Sequence, residues 1–162
     1  MRNIKSLVGV VTILFAFSAS AESRQKKDQP PPVKEQSATV EYQSAANPSA
    51  RTLSEFVRVG NMLYLSGKLG TDSTGKLAPG GIAPETKQTL ENIKTVLEKN
   101  GSSMDKVIKC TVMLADIKEW ADMNTVYVTF FKKERLPARS AFGTSGLVLN
   151  ARVEIECMAT LK

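Results

Sequence analysis

The sequence predicts an α+β domain in which two helices cover one face of a sheet. Three observations predict this class. Apolar and polar residues alternate in several short runs, two longer segments carry apolar residues at helical spacing, and strand-like runs both precede and follow those segments. The predicted order is β-β-α-β-α-β-β over residues 51–162, with both helices on one face of the sheet.

The first two strands are predicted to form a hairpin. Residues 56–59 and 62–66 are strand-like, and Gly60 and Asn61 between them tolerate the positive φ of a tight turn. Residues 67–81 follow and are rich in Gly, Thr, Asp and Ser, which is typical of a loop.

Two amphipathic helices are predicted further along the chain. Pro84 suits the first turn of the first helix and Gly101 ends it. Its apolar face comprises Leu90, Ile93, Val96 and Leu97. Asp116 is predicted to cap the second helix, with Glu119 completing a capping box. The apolar stripe of this helix is predicted to be core: Ile117, Trp120, Met123, Tyr127, Phe130 and Phe131.

Three further strands complete the predicted sheet. Residues 107–114 are apolar and β-branched, which predicts a strand buried on at least one face. Pro137 ends the connection after the second helix, and residues 140–144 are predicted as a short strand. The last strand, 153–161, alternates, with Val153, Ile155, Cys157 and Ala159 on one face and Glu154, Glu156, Met158 and Thr160 on the other.

The first 21 residues have the pattern of a secretory signal peptide. They contain two positive charges, an apolar run from Leu7 to Phe17 and an A-x-A cleavage pattern at 19–21. The run is too short to span a bilayer, although an uncleaved membrane anchor is the alternative interpretation. The sequence therefore predicts an exported protein, periplasmic or secreted, without stable membrane insertion after cleavage.

Residues 22–50 are predicted to form a flexible tether. This segment is rich in Pro, Gln and Ser and has too few apolar side chains to offset the entropy cost of ordering it. A partner-binding tail is the alternative interpretation of the same composition.

The composition excludes several kinds of chemistry. The chain has no histidine, which excludes Ser-His-Asp or Cys-His catalysis and histidine-ligated metals. Without residues 1–21 it has 20 basic and 16 acidic residues, a net charge of +4 without the basic stripe that binds nucleic acid. Cys110 and Cys157 are consistent with a disulfide in an oxidising compartment and equally with buried free thiols. Two cysteines without histidine make a poor zinc site.

One arginine–glutamate pair suggests a site for small organic acids. Arg139 follows Pro137 at a predicted helix-to-strand junction, and Glu154 lies on the polar face of the last strand. An arginine can bind a carboxylate bidentately, and a carboxylate can hold or activate a water molecule. Each residue alone also fits a non-functional interpretation. Arg139 could be a surface arginine in a loop, and Glu154 could belong to an ordinary solvated strand face.

Several motifs along residues 51–162 resemble the Rid family, also called the YjgF type. The most specific is P-A-R-S at 137–140, whose arginine is followed 15 residues later by the first glutamate of V-E-I-E at 153–156. The other matching segments and residues are 60–67, 90–93, 109–112, Asp116, Asn124, Tyr127, Phe130 and Phe131.

The resemblance implies a chorismate-mutase-like subunit that forms a homotrimer with a site in each cleft between subunits and needs no cofactor or metal. It implies hydrolytic deamination of reactive enamines and imines, such as 2-aminoacrylate, to 2-keto acids and ammonia. Arg139 would bind the substrate carboxylate, and Glu154 would position or activate the attacking water. Ser66 and Asn124 would line or support the cleft, and Ala141 would contribute through its backbone.

The sequence departs from the family pattern at two positions that bear on specificity. Leu53 stands where an aromatic residue is usual, and Ala141 stands where a cysteine is common. A non-catalytic small-ligand-binding or chaperone-like module is the alternative function. The scattered basic residues argue against a ribonuclease.

Overall fold

The computed structural model contains one mixed sheet with both helices on the same face, which confirms the predicted α+β class. The structure describes residues 37–44 and 52–161. The strands are β1 (Val40–Ser44), β2 (Ser54–Val59), β3 (Met62–Leu65), β4 (Lys68–Leu69), β5 (Val107–Leu114), β6 (Ala138–Gly143) and β7 (Val153–Thr160). The helices are α1 (Ile82–Lys99) and α2 (Trp120–Tyr127).

The sheet order places the two longest strands side by side at its centre. The order is β1-β2-β3-β7-β5-β6, and β4 also pairs with β7. The β5–β6 pairing is parallel, and every other pairing is antiparallel. Strand β6 is therefore an edge strand in the described part of the chain.

The core lies between the sheet and the two helices. The alternation predicted for the last strand is confirmed, because Val153, Ile155, Cys157 and Ala159 are buried while their neighbours are half-buried. The predicted face of α1 is also confirmed, and Leu90, Ile93 and Leu97 are completely buried. Burial of each large apolar side chain contributes about 1.5–3 kcal/mol.

The N-terminal boundary of the folded region differs from the prediction. Val40–Ser44, assigned to the tether, pair with β2, so the tether assignment is wrong for these residues. Their side chains are mostly exposed, so the short alternation of Val40 and Tyr42 with Glu41 and Gln43 buries little, and the strand depends on backbone hydrogen bonds to β2. The signal peptide and the other tether residues lie outside the described residues.

The second helix begins differently from the prediction. The Asp116 side chain accepts a hydrogen bond from the backbone N–H of Lys118 at 2.9 Å, as expected of a cap. The Glu119 carboxylate does not complete a capping box and instead forms an ion pair with Arg152. A 3-10 turn, Ile117–Glu119, precedes α2, and a second, Val128–Phe130, follows it.

Two further local predictions were correct only in part. The predicted loop at 67–81 contains strand β4, and the predicted strand at 140–144 begins earlier, so that Arg139 lies within β6. The hairpin of β2 and β3 is confirmed, and its turn places Gly60 at a φ of 56°. No helix within the described ranges has both the length and the apolar character needed to span a bilayer.

Candidate active site

Arg139 lies on the helix-facing side of the edge strand β6. Its register partner on β5 is Cys110, which is completely buried beneath the helices. The guanidinium carbon lies 4.4 Å from the ring centroid of Tyr127 and 5.4 Å from that of Trp120, both on α2. Such cation–π contacts hold a guanidinium in place without occupying its N–H groups. Arg139 Nη1 is buried and makes no hydrogen bond to any described residue.

Asn124 and Ala141 lie on the faces of α2 and β6 that carry Arg139 and its two aromatic contacts. Asn124 lies on the same side of α2 as Trp120 and Tyr127, because residues three and four apart share a helix face. Its Oδ1 atom is buried and also lacks a partner among the described residues. Ala141 is two residues beyond Arg139 on β6, so it faces the helices as well and packs against the core. We call Arg139, Trp120, Asn124, Tyr127 and Ala141 the arginine cluster.

Tyr127 supplies a neutral surface to this cluster. Burial raises the pKa of its hydroxyl well above the ordinary value, so the side chain stays protonated throughout the physiological range. Its ring also packs against Phe131 at a centroid distance of 4.8 Å, which fixes the ring plane beneath Arg139.

Glu154 lies on the opposite, open face of the sheet. Its register partners are Leu69 on β4 and Met113 on β5. The carboxylate lies against Gly67, because a Cβ atom built on Gly67 would be only 2.0 Å from Glu154 Oε1. Only a glycine at position 67 leaves room for the carboxylate in this place.

Ser66 holds the backbone next to Gly67, against which the Glu154 carboxylate lies. Its hydroxyl donates to the Ser54 carbonyl at 2.6 Å, and its backbone N–H donates to the Glu55 carbonyl at 3.1 Å. These bonds fix the chain that leads from β3 to Gly67. We call Glu154, Ser66 and Gly67 the glutamate cluster.

A single chain does not bring the two clusters together. Arg139 pairs with Cys110 on the helix-facing side, whereas Glu154 pairs with Met113 on the open side. The two residues are also separated by β5, which corresponds to two strand spacings, roughly 10 Å. Four surface pockets of 200 to 660 Å³ are lined by described residues, and neither Arg139 nor Glu154 lines any of these four. A site that uses both side chains is therefore incomplete within one chain.

The structure adds three residues to those predicted. Trp120 and Tyr127 were predicted as core, but Trp120 is 40% exposed and both contact the guanidinium of Arg139. No role was predicted for Gly67. Its contact with Glu154 depends on the pairing of β4 with β7, which was not predicted because the composition of residues 67–81 is typical of a loop.

Leu53, at the position of the usual aromatic residue, is 59% exposed just before β2. No group of three His, Cys, Asp or Glu side chains in the described ranges is arranged to hold a metal ion.

This combination of fold and motifs is found in known proteins. The family model described as "Endoribonuclease L-PSP" matches residues 43–161. The chain belongs to this family, which includes the YjgF and Rid proteins. The resemblance predicted from the P-A-R-S and V-E-I-E motifs is therefore confirmed.

Individual relatives include curated enzymes and solved structures. The chain is 42% identical over 107 residues to a 2-iminobutanoate/2-iminopropanoate deaminase of Rattus norvegicus, covering 65% of this chain and 77% of the rat protein. The crystal structure of yeast Mmf1 is 33% identical, with a TM-score of 0.70, and covers 76% of this chain and 100% of that one. The crystal structure of RidA from an Antarctic Psychrobacter is 35% identical, with a TM-score of 0.66, and covers 78% and 99%.

Proposed function

We propose that the protein hydrolyses small imines or enamines that carry a carboxylate to 2-keto acids and ammonia. The observation that carries the proposal is the Arg139 guanidinium, held by two aromatic rings with Nη1 buried and unpaired. An unpaired buried charged donor costs more than the roughly 1–3 kcal/mol of a neutral one, and a substrate carboxylate would satisfy it. The names of relatives at about 40% identity, 2-iminobutanoate/2-iminopropanoate deaminases, support this substrate class.

The proposed chemistry needs no nucleophilic side chain. An imine carbon is already electrophilic, so orientation and one acid–base group suffice. Arg139 binds the carboxylate, and Glu154 accepts a proton from the water that attacks the imine carbon. The carboxyl passes this proton to the imine nitrogen, which gives a carbinolamine. It then takes the proton of the new hydroxyl group and passes it to the amine nitrogen as the C–N bond breaks, leaving the 2-keto acid and ammonia. This route is compatible with a chain that has no histidine.

The complete site is assembled between subunits of a homotrimer. The opposite-face positions of Arg139 and Glu154 support this arrangement, because edge strand β6 of one copy can approach the open face of the next. That open face carries Tyr64 and Phe142, which are 39% and 47% exposed and are suited to an interface. Asn124, Ser66 and Ala141 act as supporting residues in this arrangement.

The direct experiment measures ammonia and 2-keto acid release with imines generated in situ by an amino-acid oxidase. The wild type should accelerate hydrolysis above the buffer rate. Arg139→Ala should lose a charge-assisted contact of about 1.5–3 kcal/mol, which corresponds to a decrease in kcat/KM of about 10- to 150-fold or more. Glu154→Gln, which keeps the shape of the side chain, should decrease kcat more than it raises KM.

One result would contradict the deaminase proposal. If the folded protein accelerated hydrolysis of no imine in the panel, yet bound 2-keto acids in a manner lost in Arg139→Ala, it would be a ligand-binding module. Thermal unfolding curves of both variants control for loss of fold.

We also propose that the protein is exported and acts on imino acids formed outside the cytoplasm. The support is the signal-peptide pattern of residues 1–21. Fractionation of producing cells, with mass analysis of the product, should yield an exported chain that begins at Glu22. An intact chain that still carries Met1 in the cytoplasmic fraction would contradict this proposal.

A further inference from the structure

Two buried cysteines lie directly opposite one another on the central strands. Cys110 on β5 and Cys157 on β7 are register partners in the antiparallel ladder. Their exposed fractions are 0% and 2%, and both are free thiols. The register partner of Cys110 on its other side is Arg139 on β6. Cys157, Cys110 and Arg139 therefore form one row across three strands, on the face covered by the helices.

The backbone already satisfies the distance requirement for a disulfide. Directly opposite residues in an antiparallel pair have Cα atoms roughly 4.5–5.5 Å apart. Disulfides span Cα distances of roughly 4.4–6.8 Å, so the bond can close without separating or shifting the strands. Because register partners share a face, both thiols also project to the same side of the sheet.

We propose that Cys110 and Cys157 form a reversible disulfide that joins the two central strands, in the same row of residues as Arg139. The co-reactant is a small disulfide such as oxidised glutathione. The Cys110 thiolate attacks one sulfur of that disulfide and releases one thiol, and the Cys157 thiolate then attacks the Cys110 sulfur and releases the second. The protein loses two hydrogens, and the small disulfide is reduced to two thiols.

The electrostatics agree with Cys110 as the first nucleophile. Contact with the Cys157 thiol lowers the pKa of Cys110, and Tyr127, Arg139 and Lys109 lower it further against the opposing effect of burial. The pKa of Cys157 is raised, first by its contact with Cys110 and then by burial. Because both sulfurs are buried, the reaction requires a folding intermediate or local opening of the sheet.

The experiment counts thiols in protein refolded at controlled redox potential. The reduced, unfolded protein is refolded in buffers of increasing oxidised-to-reduced glutathione ratio, quenched with acid, unfolded and alkylated with N-ethylmaleimide. Intact mass should show a single transition from a doubly alkylated species to an unalkylated one that has lost two hydrogens. The oxidised form should unfold at a temperature higher by on the order of 10 °C, since the bond closes a loop of roughly fifty residues.

Cys110→Ser and Cys157→Ser are the matched controls. Each keeps one thiol and should give only a glutathione adduct under oxidising conditions. Two alkylated thiols at every ratio in the natively folded wild type would overturn the proposal. A glutathione mixed disulfide as the only oxidised product of the wild type would also overturn it. The thiol count does not depend on imine hydrolysis, so it tests the disulfide whether or not the deaminase proposal holds.

Discussion

Substitution of Gly67 by alanine tests the position of Glu154 without changing any charge. Gly67 does not have a positive φ, so its backbone conformation accepts an alanine. The added Cβ would lie 2.0 Å from Glu154 Oε1, 2.8 Å from its Cδ and 3.0 Å from its Cγ. The carboxylate must therefore move away.

The required movement can be estimated from the contact distance. Ordinary van der Waals contacts of a Cβ begin at 3.4 Å, so the oxygen must retreat by at least about 1.4 Å from its 2.0 Å position. A misplacement of about 1 Å in a catalytic group can decrease the rate by about 100-fold. The cost in stability should stay near 0.5–1.5 kcal/mol, because the displaced atoms are the end of a flexible side chain.

The assay compares kcat/KM for imine hydrolysis with the unfolding free energy of the same samples. Gly67→Ala should lose activity by about 100-fold while retaining most of its stability. Gly143→Ala is the control, because its Cβ approaches only Ile117, at 3.2 Å, and activity should change by less than about threefold. Wild-type activity in Gly67→Ala, together with loss of activity in Glu154→Ala, would refute the placement of the carboxylate against Gly67.

Substitutions at three further positions test other parts of the structure. Tyr127→Leu removes the ring that contacts Arg139 and should raise KM several-fold, whereas Tyr127→Phe keeps the ring face and should change KM little; equal effects would contradict the cation–π role. Glu85 is buried and accepts backbone hydrogen bonds at 2.7 and 3.3 Å at the start of β7. Glu85→Ala should destabilise the fold by about 1–3 kcal/mol in urea unfolding, and Glu85→Gln, which keeps an acceptor, by less. Asn92 donates to two carbonyls in and just after β4, both at 2.9 Å, so Asn92→Ala should cost about 1–2 kcal/mol, and an unchanged midpoint would contradict this.

The sequence predicted the elements that are stabilised by side-chain burial. The alternation from Val153 to Thr160 and the apolar face of α1 follow directly from residue type, and the structure confirms both. The short strands were harder to predict. Strand β4 has only two residues, and the alternation in β1 is confined to Val40 and Tyr42, which are both exposed, so backbone pairing holds both strands.

The candidate site was predicted in its residue types but not in its geometry. The motifs identified Arg139 and Glu154 as a pair. They do not show which face of the sheet each side chain occupies, because a shift of one residue in strand register moves a side chain to the opposite face. A start of β6 at Ala138, and its register with β5, cannot be read from 137–144 alone. The contact of Glu154 with Gly67 likewise depends on long-range pairing.

Mixing two inactive variants tests the central claim, that the site combines Arg139 of one subunit with Glu154 of another. Arg139→Ala and Glu154→Ala proteins are unfolded, combined in equal amounts, refolded together and assayed for imine hydrolysis. If each site takes one residue from each of two neighbouring copies, random mixing restores about a quarter of the sites, and the mixture should recover about a quarter of wild-type activity. A refolded, oligomeric mixture no more active than the two variants assayed separately would contradict a site shared between subunits.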